Sequence, residues 1–386
     1  MNIEKKINIL FVLPNFDTGG SEKLVVDLVE HLNRKRFNPI VCVFFSGVYA
    51  QRMKESGIPF YVVHEVGRIK NKIEIVKFLN AIVCKHKINI VNTHHPSTLL
   101  QGLLSFKIFN RTILIHTEHT RLDNHSIITP RILRIQRLFM KFIDAALGIS
   151  QGVCDYIRDE LRVPERKIIK ILNGVDIAKF KFTKEEANKK RKEYRERLGI
   201  GFEEIVIGMF ANFRKQKNHE LFLRAVRLLK ERGINNIKVV FAGDGPEREK
   251  IDKLISDLHL GSYILCLGAR RDIPELMNMI DIYCLPSFFE GLPFSLMEAM
   301  AAGLPCVATN VEGNREIVRN SQNGILVESN NPEGLANALQ KLSIDKFLRE
   351  TLGSRAAQDV KELSFENMMK KYEELFLNYG IESRNL

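Results

Sequence analysis

The chain has 386 residues, 45% of them hydrophobic and 27% charged, and this composition predicts a globular protein with two domains of ordinary size. Its apolar runs are shorter than the roughly 18 to 20 residues that a membrane-spanning helix needs, and the opening run has the length of a strand, so we expect neither a transmembrane helix nor a secretory signal. The net charge of +12 originates in residues 1–190, which carry 31 Lys and Arg against 18 Asp and Glu, and this excess predicts an anionic partner, either phospholipid headgroups or nucleic acid.

Short apolar runs alternate with helical patterns along the whole chain. The runs are continuously apolar, which is typical of strands that are covered on both faces in a parallel sheet. Strands are predicted over residues 7–13, 39–45, 88–92, 112–117, 145–149 and 168–172 in the first half, and over residues 205–210, 237–242, 263–267, 282–286, 305–309 and 324–327 in the second. This alternation predicts a doubly wound α/β architecture.

A charged stretch, residues 181–200, separates the two halves. It is too polar for a core segment and predicts a surface helix, so we place a domain boundary near residue 190. Each half opens with a buried strand, a polar loop and a helix, and this repetition predicts two Rossmann-like sheets that face a central cleft. We expect an N-terminal domain over residues 1–190, a C-terminal domain over residues 191–363, and a helical segment, residues 364–386, that crosses back to the first domain.

The segment after the predicted strand 282–286 carries the most informative pattern, PSFFEGLPFSLMEAMAAGLP. A helix is predicted to begin near Pro293, where the missing amide hydrogen of proline is tolerated, and to end at Gly303. The first turn of a helix has amide groups without intrahelical acceptors and carries partial positive charge, so a diphosphate placed there is bound by the backbone. Gly291 removes a side chain that would block this close approach.

Two glutamates belong to this segment: Glu290 precedes the helix and Glu298 lies inside it. Eight positions along a helix correspond to about 12 Å of rise and roughly 80° of rotation, so we expect the two carboxylates to hold separate parts of a long ligand. Apolar residues flank Glu298, and a buried glutamate needs a partner. This context favours a functional role over that of two ordinary surface glutamates.

The run E-G-x-P-x-x-x-x-E that starts at Glu290 resembles the E-x7-E motif of retaining glycosyltransferase family four, which has the GT-B fold. The resemblance extends over nearly the whole chain. Residues 19–22 resemble the GG-x-E loop of the family, residues 173–176 its NGVD signature, and residues 243–246 its G-x-GP loop. The resemblance implies a metal-independent enzyme of bacterial cell-surface polysaccharide synthesis that retains the anomeric configuration.

The resemblance also implies roles for individual residues. Glu290 contacts the hydroxyls of the donor sugar, Glu298 contacts the ribose, and the backbone near Arg270 meets the base. His119 matches the histidine beside the transferred sugar, and His94 matches a second histidine column on the acceptor side. The remaining residues implied on the donor side are Gly19, Gly20, Asn212, Gly243, Gly245, Gly291, Leu292 and Pro293.

The loop ANFRKQKN, residues 211–218, holds the cations expected at the diphosphate. Arg214 and Lys217 can neutralise the charge that develops on the leaving nucleotide, so they join Glu290 and His119 as predicted catalytic residues. The commonest family pattern is G-R-x-x-x-x-K-G. Here Asn212 occupies the arginine column and Asn218 replaces the last glycine, so we expect Arg214 to take over the role of that arginine. The chain has no D-x-D motif, and we predict neither a metal nor a cofactor beyond the nucleotide-sugar, which is a co-substrate.

Residues 131–143 predict a basic amphipathic helix. Arg134, Arg137 and Lys141 recur at helical spacing, and a second basic patch covers residues 68–72. The residues of the apolar face are Ile132, Ile135, Phe139 and Phe142. One interpretation is that this face is core; the other is that the helix docks the N-terminal domain on an anionic membrane where a lipid-linked acceptor waits.

We therefore predict a cytoplasmic enzyme, peripheral on the inner face of the membrane, that transfers a hexose or N-acetylhexosamine from a UDP-sugar to a glycan or a polyprenyl-diphosphate-linked acceptor. The alternatives are another GT-B enzyme, such as a sugar-nucleotide epimerase, and a basic nucleic-acid-binding protein. The second alternative explains neither glutamate, and the chain has no recognisable nucleic-acid-binding module, so we expect no nucleic-acid partner. A nicotinamide-dependent oxidoreductase is disfavoured because the glycine fingerprint is missing after the first strand.

Overall fold

The computed structural model describes residues 6–16, 19–64, 71–110, 112–119 and 130–383. The chain divides into two compact units: residues 1–173 together with residues 366–386 form the first, and residues 174–365 form the second. Each unit contains one parallel β-sheet with helices packed around it. Within the described residues, no helix combines the length and the apolar character needed to cross a bilayer.

The first unit contains a seven-stranded sheet with the order β3-β2-β1-β4-β5-β6-β7. Its strands are β1 (Ile7–Leu13), β2 (Phe37–Val43), β3 (Phe60–Val62), β4 (Ile90–His94), β5 (Ile113–Glu118), β6 (Ala145–Gly148) and β7 (Ile168–Lys170). Its helices are α1 (Gly20–His31), α2 (Ala50–Glu55), α3 (Lys72–His86), α4 (Pro96–Leu103), α5 (Pro130–Met140) and α6 (Gln151–Asp159), and a π-helical turn, Leu104–Phe109, continues α4.

The helices of the second unit in chain order are α7 (Lys184–Arg197), α8 (His219–Glu231), α9 (Arg248–Asp257), α10 (Ile273–Met279), α11 (Phe294–Ala301), α12 (Glu312–Arg315), α13 (Pro332–Ile344) and α14 (Lys346–Asp359). Its strands are β8 (Ile205–Phe210), β9 (Ile237–Ala242), β10 (Ile264–Cys266), β11 (Ile282–Leu285), β12 (Cys306–Thr309) and β13 (Gly324–Val327). They form a six-stranded sheet with the order β10-β9-β8-β11-β12-β13. The predicted doubly wound architecture is confirmed in both units.

The sequence pattern located twelve of these strands and missed β3. That strand has three residues, and Phe60 and Tyr61 are only half-buried. The segment 58–63 is apolar, but only three of its residues pair with β2, which is shorter than the roughly four to eight residues by which a strand is recognised.

The domain boundary predicted near residue 190 differs from the structural division at residue 174. Helix α7 begins with a capping box between Thr183 and Glu186 and packs on the second unit. Arg195 of α7 is buried, and its guanidinium donates to Asp281 Oδ2 at 2.7 Å and to the carbonyl oxygen of Glu204 at 2.9 Å. The charged stretch is therefore part of the second unit, and its polarity reflects one exposed face together with a buried ion pair.

Helix α15 (Phe365–Glu382) lies at the end of the chain, yet the structure groups it with the first unit from residue 366 onwards. Phe376 of this helix is fully buried, and its ring lies 5.8 Å from the ring of Phe11 on β1 and 6.3 Å from that of Phe37 on β2. The hydrophobic core of the first unit is thus completed by residues from the other end of the chain.

The order of the strands reverses once in each sheet, between β1 and β4 in the first and between β8 and β11 in the second. In open parallel sheets, ligands bind at the carboxyl ends of the strands where this reversal occurs. The carboxyl ends of these four strands and the segments that follow them contain Gly19 and Gly20, His94, residues 211–218 and Glu290. The topology therefore places most of the predicted site residues at the edge where a doubly wound unit binds its ligand.

Candidate active site

Glu290 lies in the loop between β11 and α11, and its carboxylate is held by two neighbours. Lys217 Nζ lies 2.5 Å from Glu290 Oε1, and the hydroxyl of the buried Ser287 donates to the same oxygen at 2.6 Å. Only 6% of the Glu290 side chain is exposed. These contacts fix an anionic group next to a cation at the reversal point of the second sheet.

Gln216 ties the two loops of this site together. Its side-chain amide donates to the main-chain carbonyl oxygen of Phe289 at 2.9 Å, and its main-chain carbonyl oxygen accepts from the main-chain amide of Phe288 at 2.8 Å. Neither Gln216 nor Ser287 was identified from the sequence. The Gln216 contacts join loops that are about 70 residues apart in the chain, which no local pattern encodes, whereas Ser287 contacts Glu290 within its own loop.

Helix α11 begins at Phe294 with Pro293 as its N-cap residue, within one residue of the predicted start. Pro293 has no side-chain hydrogen-bond capacity to cap this end. Ala302 is the C-cap, and Gly303 follows with φ 76°, as the predicted stop requires. The amino end of α11 and the buried residues Gly291 and Leu292 therefore lie immediately after Glu290.

Glu298 lies one turn before the end of α11 and is half-buried. Its negative charge raises the pKa of Tyr283 on β11, although burial of the phenol is the larger cause of that shift. Glu290, by contrast, precedes the helix. The two carboxylates thus occupy different parts of the segment, as the spacing predicted.

The G-x-G loop after β9 packs directly against the loop after β8. Gly243 and Gly245 have φ values of 148° and 155°, and a Cβ at these positions would lie 2.0 Å from the carbonyl oxygen of Ala211 and 2.6 Å from that of Phe213. The amide of Phe213 donates to the carbonyl oxygen of Asp244 at 2.9 Å. Glycine is required at both positions because the two backbones touch, and this contact shapes the loop that carries Asn212 and Arg214.

A further glycine that the sequence did not single out supports the Glu290 loop. Gly313 lies in α12, and a Cβ there would lie 2.6 Å from the carbonyl oxygens of both Glu290 and Gly291. Helix α12 can approach this backbone only because residue 313 has no side chain. The short turn thus acts as a support for the loop.

Arg214 is exposed, and within the described residues its guanidinium has no ion-pair partner. It borders a cavity of about 350 Å³ whose lining also includes Lys215, Asn218, His219 and Phe288. Asn218 and His219 are buried, and Asn218 Nδ2 and His219 Nε2 have no hydrogen-bond partner among the described residues. An unpaired cation and buried polar groups around one cavity are suited to a polar, anionic ligand.

The side chain of Arg270 is engaged with Asp272, the N-cap residue of α10. Its Nε donates to Asp272 Oδ1 at 2.8 Å, and this hydrogen bonding lowers the pKa of the Asp272 carboxyl to about 2. Tyr194 also donates to Asp272, at 2.8 Å. The Arg270 side chain therefore stabilises the start of α10. The contact with the nucleotide base that the resemblance implies involves the backbone of this loop and not this side chain.

In the first unit, Gly19 is the N-cap residue of α1 and Gly20 is its first residue. A Cβ on Gly19 would lie 2.1 Å from a carboxylate oxygen of Glu22, which is itself buried and accepts from the Ser21 hydroxyl at 2.7 Å. The carboxylate of Glu22 thus lies against the amino end of α1, which follows the carboxyl end of β1.

His94 and His119 lie at the carboxyl ends of the adjacent strands β4 and β5. His94 Nδ1 and His119 Nε2 are 2.9 Å apart, and the two ring centroids are separated by 5.1 Å, so the rings meet through these nitrogens. Burial lowers the pKa of both imidazoles, that of His119 to about 3, and the neighbouring His116 acts in the same direction. Both rings are therefore neutral at physiological pH.

The structure brings the predicted residues into two clusters. The second unit holds Glu290, Lys217, Arg214 and the amino end of α11 near one sheet edge, together with the G-x-G loop. The first unit holds His94, His119 and the start of α1 at its own carboxyl edge. Arg270 and Glu298 lie in the second unit beyond the immediate contacts of Glu290.

Two protein-family models match the chain in consecutive segments: "Glycosyltransferase Family 4" over residues 18–179 and "Glycosyl transferases group 1" over residues 190–359. Together they account for most of both units. The chain belongs to glycosyltransferase family 4. The protein is thus a glycosyltransferase, as the E-x7-E resemblance predicted.

Among its curated relatives is the UDP-Gal:alpha-D-GlcNAc-diphosphoundecaprenol alpha-1,3-galactosyltransferase of Escherichia coli, which is 28% identical over 86% of each chain. A second is the N,N'-diacetylbacillosaminyl-diphospho-undecaprenol alpha-1,3-N-acetylgalactosaminyltransferase of Campylobacter jejuni, 28% identical over 63% of this chain and 62% of that one. Among solved structures, Alr3699/HepE from Anabaena in complex with UDP and glucose superimposes with a TM-score of 0.84 at 21% identity, covering 96% of this glycosyltransferase and all of that chain. This likeness confirms the GT-B fold.

Proposed function

We propose that this glycosyltransferase transfers a hexose or N-acetylhexosamine from a UDP-sugar to a polyprenyl-diphosphate-linked glycan, with retention of configuration, in the synthesis of a cell-surface polysaccharide. The observation that carries the proposal is the Glu290 carboxylate, held by Lys217 and Ser287 directly before the amino end of α11. In this proposal the second unit binds the donor and the first unit binds the acceptor.

The positively charged groups of the second unit support its assignment as the donor-binding unit. A diphosphate needs cations and backbone amides, and the second unit offers the Arg214 guanidinium, Lys217 and the amino end of α11 near the same sheet edge. Within the described residues no group of histidine, cysteine, aspartate and glutamate side chains has the geometry of a metal site. We assign neutralisation of the leaving UDP to the two cations and the α11 amides, and recognition of the sugar hydroxyls to Glu290.

The acceptor side is supported by the relatives. Both the Escherichia coli and the Campylobacter jejuni enzymes are named for acceptors in which a sugar is joined to undecaprenol through a diphosphate. An acceptor of this kind carries a negative diphosphate, which suits the basic first half of the chain. We assign His119 to the transferred sugar and His94 to the acceptor side of the same strand edge.

The direct test offers the purified enzyme a panel of UDP- and GDP-sugars with a synthetic polyprenyl-diphosphate-linked N-acetylglucosamine. We expect transfer from a UDP-sugar and loss of turnover in Glu290→Ala with an unchanged fold by circular dichroism. Glu196→Ala is the matched control, because Glu196 is an exposed glutamate of α7 in the same unit, where it pairs with Lys192. Full activity of Glu290→Ala, or epimerisation of the UDP-sugar without acceptor, contradicts the proposal.

We also propose that α5 docks the first unit on an anionic bilayer. The exposed fractions of Ile135, Leu138 and Phe142 are 38%, 52% and 46%, while Gln136 and Met140 face inward and are buried. The exposed cations Arg131, Arg134 and Lys141 lie on the same segment, and within the described residues none of them has an ion-pair partner. An exposed apolar ridge with unpaired basic charge suits a phospholipid surface, where each basic residue contributes about 1 kcal/mol. The predicted second patch, residues 68–72, lies largely outside the described residues.

Co-sedimentation with phosphatidylglycerol vesicles tests the docking of α5. We expect binding that weakens as salt rises and that falls at least tenfold in the double variant Leu138→Ser, Phe142→Ser. The matched control is Phe347→Ser, because Phe347 is exposed on α14 of the second unit and lies outside α5. Binding that is insensitive to salt, or equal loss in the control, counts against a role of α5.

A further inference from the structure

We infer that His94 is a positioning residue that fixes the tautomer of His119, so that His119 carries its ring proton on Nδ1 and presents that nitrogen as a hydrogen-bond donor. The consequence for turnover rests on the proposed function, in which His119 lies beside the transferred sugar. The tautomer itself does not depend on that function and is measured separately.

The first step is that the two rings are linked by one hydrogen bond. His94 Nδ1 and His119 Nε2 are 2.9 Å apart, within hydrogen-bond distance, and the two ring planes differ by only 26°. His94 is 1% exposed, and its ring centroid lies 6.3 Å from that of Phe11. One of the two bonded nitrogens must carry the hydrogen and the other must offer its lone pair.

The second step is that neither ring is charged. Burial lowers the pKa of both imidazoles, and each histidine disfavours a charge on its neighbours, which include His116. His95 and Glu118 also belong to this strand edge, and Glu118 accepts from the buried Gln136 of α5 at 3.2 Å. A neutral imidazole has one N–H and one lone pair, so the state of one nitrogen determines that of the other.

The third step is the far nitrogen of His94. His94 Nε2 is buried and has no hydrogen-bond partner among the described residues. A buried N–H without an acceptor is rarer in folded proteins than a buried acceptor without a donor. We therefore place the His94 proton on Nδ1, from which it is donated to Nε2 of His119. His119 Nε2 is then the acceptor, and Nδ1 of His119 holds the proton.

This arrangement has a chemical consequence. A neutral imidazole that donates from Nδ1 can hydrogen-bond to a sugar hydroxyl or to an oxygen on which negative charge develops. If His119 were free to change tautomer, part of the population would present a lone pair to such an oxygen. His94 thus removes the unproductive tautomer through its hydrogen bond to His119, as the aspartate that orients the catalytic histidine does in serine proteases.

The tautomer is measured by ¹⁵N NMR of the full-length protein with labelled histidine, at neutral pH and without substrate. The His119 signals are assigned by their disappearance in His119→Asn. We expect a protonated Nδ1 and an unprotonated Nε2 in the wild type, and the reverse in His94→Asp, whose carboxylate can only accept from Nε2. Protonation of His119 on Nε2 in the wild type overturns the inference, and this result requires no variant at residue 94.

The effect on turnover is measured with His94→Phe, which keeps an aromatic ring against Phe11 but cannot donate to His119. We expect kcat to fall about 10- to 100-fold, the range found for orienting partners, while KM for the UDP-sugar changes less than about threefold. The matched control is His86→Asn, since His86 pairs with the hydroxyl of Tyr61, on the outermost strand β3 of the same sheet, at 2.7 Å. An unchanged kcat in His94→Phe refutes the positioning role, whereas a wild type that transfers no sugar refutes the proposed function and leaves the tautomer result standing.

Discussion

His219 shows how a single buried side chain makes the second unit sensitive to acid. Its ring packs against Phe213 and Phe241, burial lowers its pKa to about 3, and Lys217 acts in the same direction. In the unfolded chain a histidine titrates near 6.5. Between these two values the unfolded state binds a proton that the folded state does not, so the free energy of unfolding decreases as the pH falls below about 6.5.

We predict that His219→Gln removes about 1 kcal/mol of the stability loss between pH 6.5 and pH 5.5. Urea unfolding curves of wild type and variant at both pH values measure this difference. His259→Asn is the control, because His259 is exposed on the same unit. An identical pH dependence in His219→Gln and wild type would show that burial does not lower the pKa of His219 in the folded protein.

At the scale of elements, the loop that carries Glu290 depends on helix α12 behind it. A methyl group at residue 313 would lie 2.6 Å from two carbonyl oxygens of this loop, so backbone must move. We predict that Gly313→Ala lowers kcat/KM at least tenfold, since a displacement of the carboxylate disturbs the geometry of the reacting groups. We also expect a loss of about 1 to 3 kcal/mol in stability from overpacking.

The control for this prediction is Gly261→Ala, because a Cβ at residue 261 meets nothing within 4 Å and the backbone there suits any residue. Steady-state kinetics and thermal denaturation of both variants provide the comparison. If Gly313→Ala kept full activity while losing stability, we would conclude that α12 stabilises the fold but does not position Glu290.

At the scale of the whole molecule, aromatic residues from both ends of the chain meet in the first unit, whereas the core of the second unit is built from its own segments. Phe376 of α15 packs on Phe11 and Phe37 in the first unit, whereas Phe222 of α8 packs on Phe241 in the second. We predict that Phe376→Ala destabilises the first unit by about 3 to 5 kcal/mol, because it removes a fully buried ring. Hydrogen exchange read by mass spectrometry should show faster exchange in β1 and β2 with little change in β8 and β9.

Phe222→Ala is the converse variant and should accelerate exchange in β8 and β9 instead. Equal acceleration in both sheets by either substitution would mean that the two units unfold as one cooperative body.

The sequence predicted the elements that depend on local signals. The predicted bounds agree with those of β1, β8, β9 and β13, and α11 begins within one residue of the expected position. Continuous apolar runs, a proline at the start of a helix and a glycine after its end act within a few residues, so they can be recognised without knowledge of the fold. The motifs that carry the family resemblance are local in the same way, such as residues 243–246 and the run that starts at Glu290.

By itself the sequence therefore determined the α/β class, the strand–helix order and the segments that hold Glu290, Lys217, His94 and His119. Only the tertiary structure decided that Lys217 and Ser287 share one oxygen of Glu290, that His94 bonds to His119, and that Gly313 supports a loop more than twenty residues away. It also assigned α7 to the second unit and left Ile132, Ile135 and Leu138 of α5 exposed. The physical reason is that local patterns encode the conformation of a segment, whereas contacts between distant segments depend on how the segments pack.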